Sequence, residues 1–152
     1  MTAQYSHFCR LRAAYVNLLS EIDWQYALTL NFNAPVTDVS ATSAMRKFCA
    51  RLDRKLLGKS WAEKDPNERI LVIVRCENRD KNFHLHGIAQ LPASRRSINF
   101  CDLGEKAWRR VSRRGSACIR HRQNDQGWAQ YITKQMTPGT EGDFIYSRDF
   151  MR

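Results

Sequence analysis

Two apolar runs, the β-branched 70–77 (ILVIVRCE) and 83–91 (FHLHGIAQL), are separated only by the polar stretch Asn78-Arg79-Asp80-Lys81-Asn82. The first run is too short and too β-branched for an ordinary helix, and the polar break before the second has turn composition. The pattern predicts a β-hairpin in the middle of the chain.

The flanking sequence alternates helix and strand periods around that hairpin. Tyr5, Phe8, Leu11, Tyr15, Leu18 and Ile22 recur at steps of three and four, which predicts an amphipathic helix over 5–22. Residues 24–32 (WQYALTLNF) read as a strand ended by Asn33-Ala34-Pro35. Met45, Phe48, Leu52 and Leu56 mark a helix over 42–57 that Gly58 closes. Phe100, Leu103, Ala107 and Val111 mark a third, with Asp102 and Glu105 early and arginines late, as the helix dipole favours. A short strand at 116–122, a helix capped by Asn124-Asp125 and running to Met136, and a strand near 143–147 complete the order. An α-β-α-β-β-α-β-α-β sequence implies an α+β sandwich: one five-stranded, mostly antiparallel sheet with helices packed on its faces. The length of 152 residues suits one domain, read as an N-terminal helix over 1–23 packed on a single unit over 24–152.

Composition narrows the partners. Lys and Arg number 25 against 15 Asp and Glu, a net charge of +10 that suits contact with a polyanion. Half the excess falls in residues 99–122, where Lys106, Arg109, Arg110, Arg113, Arg114, Arg120 and Arg122 face only Asp102 and Glu105. Arginine forks onto phosphate oxygens, so Arg109, Arg110, Arg113, Arg114, Arg120 and Arg122 are candidate contacts to a phosphate backbone; the competing reading is a solvated helix face. No run approaches the ~18 apolar residues of a membrane helix. Arg10, Arg12, Glu21 and Asp23 interrupt any apolar signal core, so the expectation is a cytoplasmic chain with no membrane partner. Five cysteines without a CxxC pair agree with reduced thiols, and His7-x-Cys9 lacks companions for a zinc tetrad.

His84 and His86 flank Leu85 in the second hairpin strand, so both imidazoles project from one face. If the hairpin closes on Asp80 and Lys81, Glu77 lies opposite His84 and points the same way. Opposed Cβ atoms sit about 4.5–5.5 Å apart, which lets two imidazoles and a carboxylate share one divalent ion with open positions. Mixed nitrogen and oxygen ligation suits Mn²⁺ or Mg²⁺ with phosphate, and zinc also fits. A slip of one residue would turn Glu77 away, and the competing role for Glu77 is an ion pair with Arg75 or Arg79. Near the C-terminus, Tyr131 has Lys134 at i+3 and Gln135 at i+4, which places all three on one helical face. A phenol attacks poorly at neutral pH unless a cation or base helps it ionise; otherwise Tyr131 reads as a core residue beside Trp128 and Ile132.

In order and content these segments resemble the HUH superfamily of single-strand DNA nickases, in particular the rolling-circle replication initiators. Leu28-Thr29-Leu30-Asn31 is similar to the first motif, Phe83-His84-Leu85-His86-Gly87 to the second and Tyr131-Ile132-Thr133-Lys134 to the third; the likeness spans residues 24–146. The resemblance implies that His84, His86 and Glu77 hold Mn²⁺ or Mg²⁺ and that Tyr131 attacks the scissile phosphate, giving a 5′-phosphotyrosine and a free 3′-hydroxyl. Lys134 would position the phenol or steady its charge, and Thr29 and Asn31 would support the site. It further implies single-stranded DNA, at a hairpin origin, as the partner, a helicase supplied from elsewhere, and a monomer or weak dimer. The N-terminal helix would pack on the sheet, mediate dimerisation or contact DNA. Trp61 and Trp108 would stack on unpaired bases or pack in the core. Two alternatives stay open. One is a single-tyrosine transposase of the same superfamily with Gln135 as third ligand; the other is a nucleic-acid-binding domain of the same fold without cleavage.

Overall fold

The computed structural model describes residues 2–122 and 126–151. The elements follow in the expected order: α1 (Ala3–Glu21), β1 (Tyr26–Asn31), α2 (Asp38–Leu57), β2 (Leu71–Glu77), β3 (His84–Gln90), α3 (Phe100–Val111), β4 (Ser116–His121), α4 (Gln126–Thr133) and β5 (Phe144–Tyr146). The sheet runs β4-β1-β3-β2-β5 with every neighbouring pair antiparallel, an α+β fold with helices against both sheet faces. Among the described residues no helix is long and apolar enough to cross a membrane.

The β2–β3 register pairs Glu77 with His84, Arg75 with His86 and Val74 with Gly87, as the hairpin reading requires. The turn is built differently. Asn78 takes a positive φ of 51°, and its carbonyl accepts the amides of Lys81 and Asn82 at 3.3 and 3.1 Å, so the reversal uses 78–82 rather than Asp80-Lys81 alone. Asparagine tolerates the left-handed region better than most residues, which suits this position. At Gly87 the strands approach so closely that a Cβ would collide with the Ile73 carbonyl oxygen and stand 2.7 Å from Val74 Cα.

Strand alternation divides the residues between two layers. Leu28, Leu30, Val72, Val74 and Leu85 face α2 and α3, where Met45, Phe48, Leu52, Phe100 and Trp108 close the larger core. On the other side Ala27, Ile73 and Ile88 meet Val16 and Leu19 of α1 and Ala129 and Ile132 of α4. Thr29, Glu77, His84 and His86 lie further along that second face by the same alternation. Helix α1 therefore packs on the domain, and Tyr15 stacks on Phe144 with ring centroids 4.6 Å apart. Trp108 is fully buried, donates its indole N–H to the Asn31 carbonyl at 2.9 Å and meets Phe32 and Phe48 edge to face. It is a core residue and has no face for a base. Trp61 lies half-buried beneath the Arg69 guanidinium, 4.9 Å from its ring centroid.

Two helix boundaries depart from the apolar pattern. Helix α2 starts at Asp38 because Thr37 caps it, its hydroxyl accepting the Ser40 amide at 3.1 Å; the polar first turn hides this from periodicity. Helix α4 ends at Thr133 rather than Met136. The Thr133 carbonyl accepts Arg12 Nε–H at 3.1 Å, and Lys134 and Met136 amides turn back to Tyr131 and Thr133. A cation from α1 thus sits where the helix dipole is negative. The expected cap at Asn124-Asp125 lies outside the described residues.

A buried carboxylate ties α2 to the start of the hairpin. Asp53, wholly buried, accepts Arg69 Nε–H and the Ile70 amide, both at 2.9 Å. Burial raises its carboxyl, while the Ile70 amide and the Arg69 guanidinium pull it back down. Removing one partner of such a pair strands the other in the core. Asp53→Ala is expected to lower unfolding free energy by about 3–5 kcal/mol, read from urea denaturation. Gly87→Ala should destabilise by about 1–3 kcal/mol, because backbone on the neighbouring strand has to move.

Candidate metal centre and cleft

Among the described residues one group of three side chains could hold a metal ion: Glu77, His84 and His86, all buried, with donor atoms within 4.8 Å of one another. Glu77 Oε2 stands 3.5 Å from His84 Nε2 and 3.6 Å from His86 Nε2. Ligands at about 2.1 Å from an ion, at tetrahedral or octahedral angles, are about 3.0–3.4 Å apart. Both carboxylate–imidazole separations are therefore within a few tenths of an ångström of those a shared ion would set.

The surroundings aim these donors. His84 Nδ1–H donates to the Asn82 carbonyl at 2.7 Å, so its Nε2 lone pair faces Glu77. His86 Nδ1 lies 3.0 Å from Thr29 Oγ1, and donation to that hydroxyl again frees Nε2. Thr29 is opposite His86 in the β1–β3 ladder and Asn31 opposite His84, so the support expected from Thr29 rests on a hydrogen bond, whereas Asn31 contributes its carbonyl to Trp108. Burial holds the His86 imidazole at about 4, below its ordinary value, with the charges of His84 and Lys134 adding to the effect. It is neutral, as a ligand must be, across the physiological range.

Glu77 serves two partners with two oxygens. Oε1 accepts Arg75 Nη1–H at 3.3 Å while Oε2 faces the imidazoles, so the ion pair and the ligand role coexist. Burial raises the Glu77 carboxyl, and Arg75, His84 and Lys134 draw it down again. Arg75 is itself buried, reaches Thr140 Oγ1 at 3.4 Å, and leaves Nε without a hydrogen-bond partner among the described residues. Arg79 belongs elsewhere: it bridges Asp38 at 2.7 Å and Asp143 at 2.8 Å.

Tyr131 opens onto this centre. Its ring meets His86 edge to face with centroids 5.5 Å apart and stacks on Trp128 at 5.0 Å. At 38% exposure it is a surface residue, unlike its buried neighbour Ile132, which excludes the core reading. Lys134 Nζ lies 3.7 Å from the Tyr131 ring centroid, reached from the turn after α4 rather than from the helix itself. Gln135 follows in the same turn, exposed, where the expected helical face no longer continues. A cleft of about 640 Å³ runs beside them, lined by Thr29, His86, Arg120, Arg122, Trp128 and Tyr131.

The basic segment does not form one patch. Arg120 and Arg122 line the cleft, Arg113 and Arg114 occupy the exposed turn between α3 and β4, and Arg109 and Arg110 lie on α3 against the opposite sheet face. Trp128 was the residue that motif reading passed over. Its indole N–H donates to the Gly87 carbonyl at 3.1 Å, the Arg122 guanidinium lies 5.0 Å from its ring centroid, and its spacing of three from Tyr131 was the available signal.

Comparison with protein-family models, with curated proteins and with solved structures finds no match to this chain.

Thr29→Val should weaken divalent-metal binding by about 10–100-fold in a calorimetric titration with Mn²⁺ or Zn²⁺, with the fold intact. The pH response of the metal-free protein follows from His86. Its folded value is depressed from 6.5 to about 4, so its contribution to stability is complete above pH 6.5 and is lost as pH falls through about 4. Glu77, raised by burial, acts with opposite sign, contributing most in acid. Subtracting the urea stability of His86→Gln from that of the parent at each pH, with chelator present, isolates the His86 term. That difference should shrink as the pH is lowered from 6.5 to 4.

Proposed function

We propose that the protein is a metal-dependent, site-specific single-strand DNA nickase and ligase of HUH type, acting through a 5′-phosphotyrosine in the manner of rolling-circle replication initiators. The observation that carries this reading is that an exposed tyrosine, with an ammonium over its ring, meets His86 of the buried Glu-His-His group in a cleft lined by Arg120 and Arg122. A buried His-His-Glu set by itself suits many hydrolases; the adjacent Tyr131 and Lys134 favour covalent transfer to protein.

A divalent ion held by Glu77, His84 and His86 would supply Lewis-acid polarisation of the scissile phosphate. Tyr131 Oη attacks phosphorus in line, the P–O3′ bond breaks, the phenolic proton passes to solvent and the departing 3′-oxygen takes one up. Lys134, at the ring face, steadies the negative charge that develops on the phenol. Arg120 and Arg122 along the cleft hold neighbouring phosphates, and Trp128 offers a half-buried aromatic edge beside them. Arg75 orients Glu77 and offsets part of the burial that raises its carboxyl. In reverse, a free 3′-hydroxyl attacks the phosphotyrosine and releases the phenol, so one site both opens and reseals a strand.

Incubation with a random pool of labelled single-stranded oligonucleotides and Mn²⁺ should yield a denaturation-resistant protein–DNA adduct. Tyr131→Phe and added chelator should each abolish it, and Lys134→Met should slow its formation by about 10²-fold. Retention of DNA affinity with no adduct under any metal would show a binding domain instead.

A further inference from the structure

Arginines 109 and 110 are separated from the cleft by the sheet, and they stand in a different surface feature. Helix α2 presents Arg51, Arg54 and Lys55 at positions i, i+3 and i+4, and α3 presents Lys106, Arg109 and Arg110 at the same spacing. All six are exposed and line one groove of about 880 Å³ between the helices, floored by Leu103 and Ala107. Among the described residues two carboxylates answer them, Asp102 at 2.8 Å from Lys106 and Glu105 at 3.9 Å from Arg109. Among the described residues Arg51, Arg54, Lys55 and Arg110 make no ion pair.

Like charges at these helical spacings cost a few tenths of a kcal/mol per pair, and two facing rows add repulsion across the groove. A linear polyanion laid between the rows would remove both costs at once. Arginine predominates, and its fork fits phosphate oxygens better than a point charge does. The groove contains cations over an apolar floor and neither nucleophile nor metal-ligating cluster, so it binds rather than reacts.

We propose that the α2–α3 groove is a second, sequence-independent binding site for a nucleic-acid phosphodiester backbone, on the sheet face opposite the metal centre. It extends the contact surface to a part of the nucleic acid other than the strand entering the cleft, and it operates without metal or chemistry.

The test is fluorescence anisotropy with a labelled duplex of about twenty base pairs and with the matching single strand, both in chelator. The parent is compared with the triple variant Arg51→Gln/Arg54→Gln/Lys55→Gln and with Arg10→Gln/Lys64→Gln/Lys81→Gln, which removes the same charge from exposed sites elsewhere. The groove variant should bind at least one probe about 10-fold or more weakly near 50 mM salt. Its plot of log K against log salt should be shallower by about 2–3, since each lost phosphate contact removes about 0.9 from the slope. The probe that loses more identifies the bound form. Unchanged affinity and slope, or equal losses in the control triple variant, would overturn the proposal. Lys106→Gln/Arg110→Gln on the facing helix applies the same criterion should the first variant fail to give the parent circular dichroism spectrum. Because no step requires nicking, this result and that of the adduct assay can fail separately.

Discussion

The pairing of Glu77 with His84 across the β2–β3 hairpin is the constraint from which the site follows. Side chains alternate along strands, so this register sends Glu77, His84 and His86 to one face together and leaves Leu85 and Cys76 in the opposite core. A shift of one residue would bury the imidazoles among Val72, Val74 and Leu30 and expose leucine in the cleft. Several features hold the register in place. Gly87 lets the strands close where any side chain would strike backbone, Asn78 turns the chain, and Asp53 anchors the hairpin's first strand to α2.

The metal centre is also an arrangement of charge in a confined space. Glu77 is buried, which raises its carboxyl, Arg75 beside it offsets part of that effect, and each of its oxygens has a separate task. His86 is kept neutral by the same burial. The result is a carboxylate and two lone pairs facing one point, with an opening toward Tyr131. Lys134 reaches over that ring from the turn beyond α4, and Arg12 of α1 donates to the carbonyl of Thr133, the last residue of that helix. The N-terminal helix thereby braces the end of the helix that carries Tyr131.

Basic residues clustered in sequence are divided by the sheet into two surfaces. Those after β4 reach the cleft, and those on α3 join α2 on the other side. Under the proposed reaction the first surface handles the reacting strand, and the groove on the second contacts backbone elsewhere. In a chain with net charge +10 the sheet keeps the cations of the cleft apart from those of the groove.

Element order, strand and helix type, the central hairpin and the same-face placement of His84 and His86 were determined by the sequence itself, which placed Glu77 with them only for one of the possible hairpin registers. All of them follow from local periodicity, turn composition and the two-residue alternation of strands. Thr29 beside His86 was legible only as a motif position, and Trp128 only as a neighbour of Tyr131 at helical spacing. Tertiary structure decided the rest. It made Trp108 core, gave Glu77 both Arg75 and the imidazoles, placed Lys134 over the phenol from beyond the helix end, and split the arginine segment between two faces. Each of these depends on which elements pack together and where a chain end meets a partner distant in sequence, as Arg12 meets Thr133 across 121 positions. Periodicity carries which face of an element is apolar; it does not carry which other element covers that face.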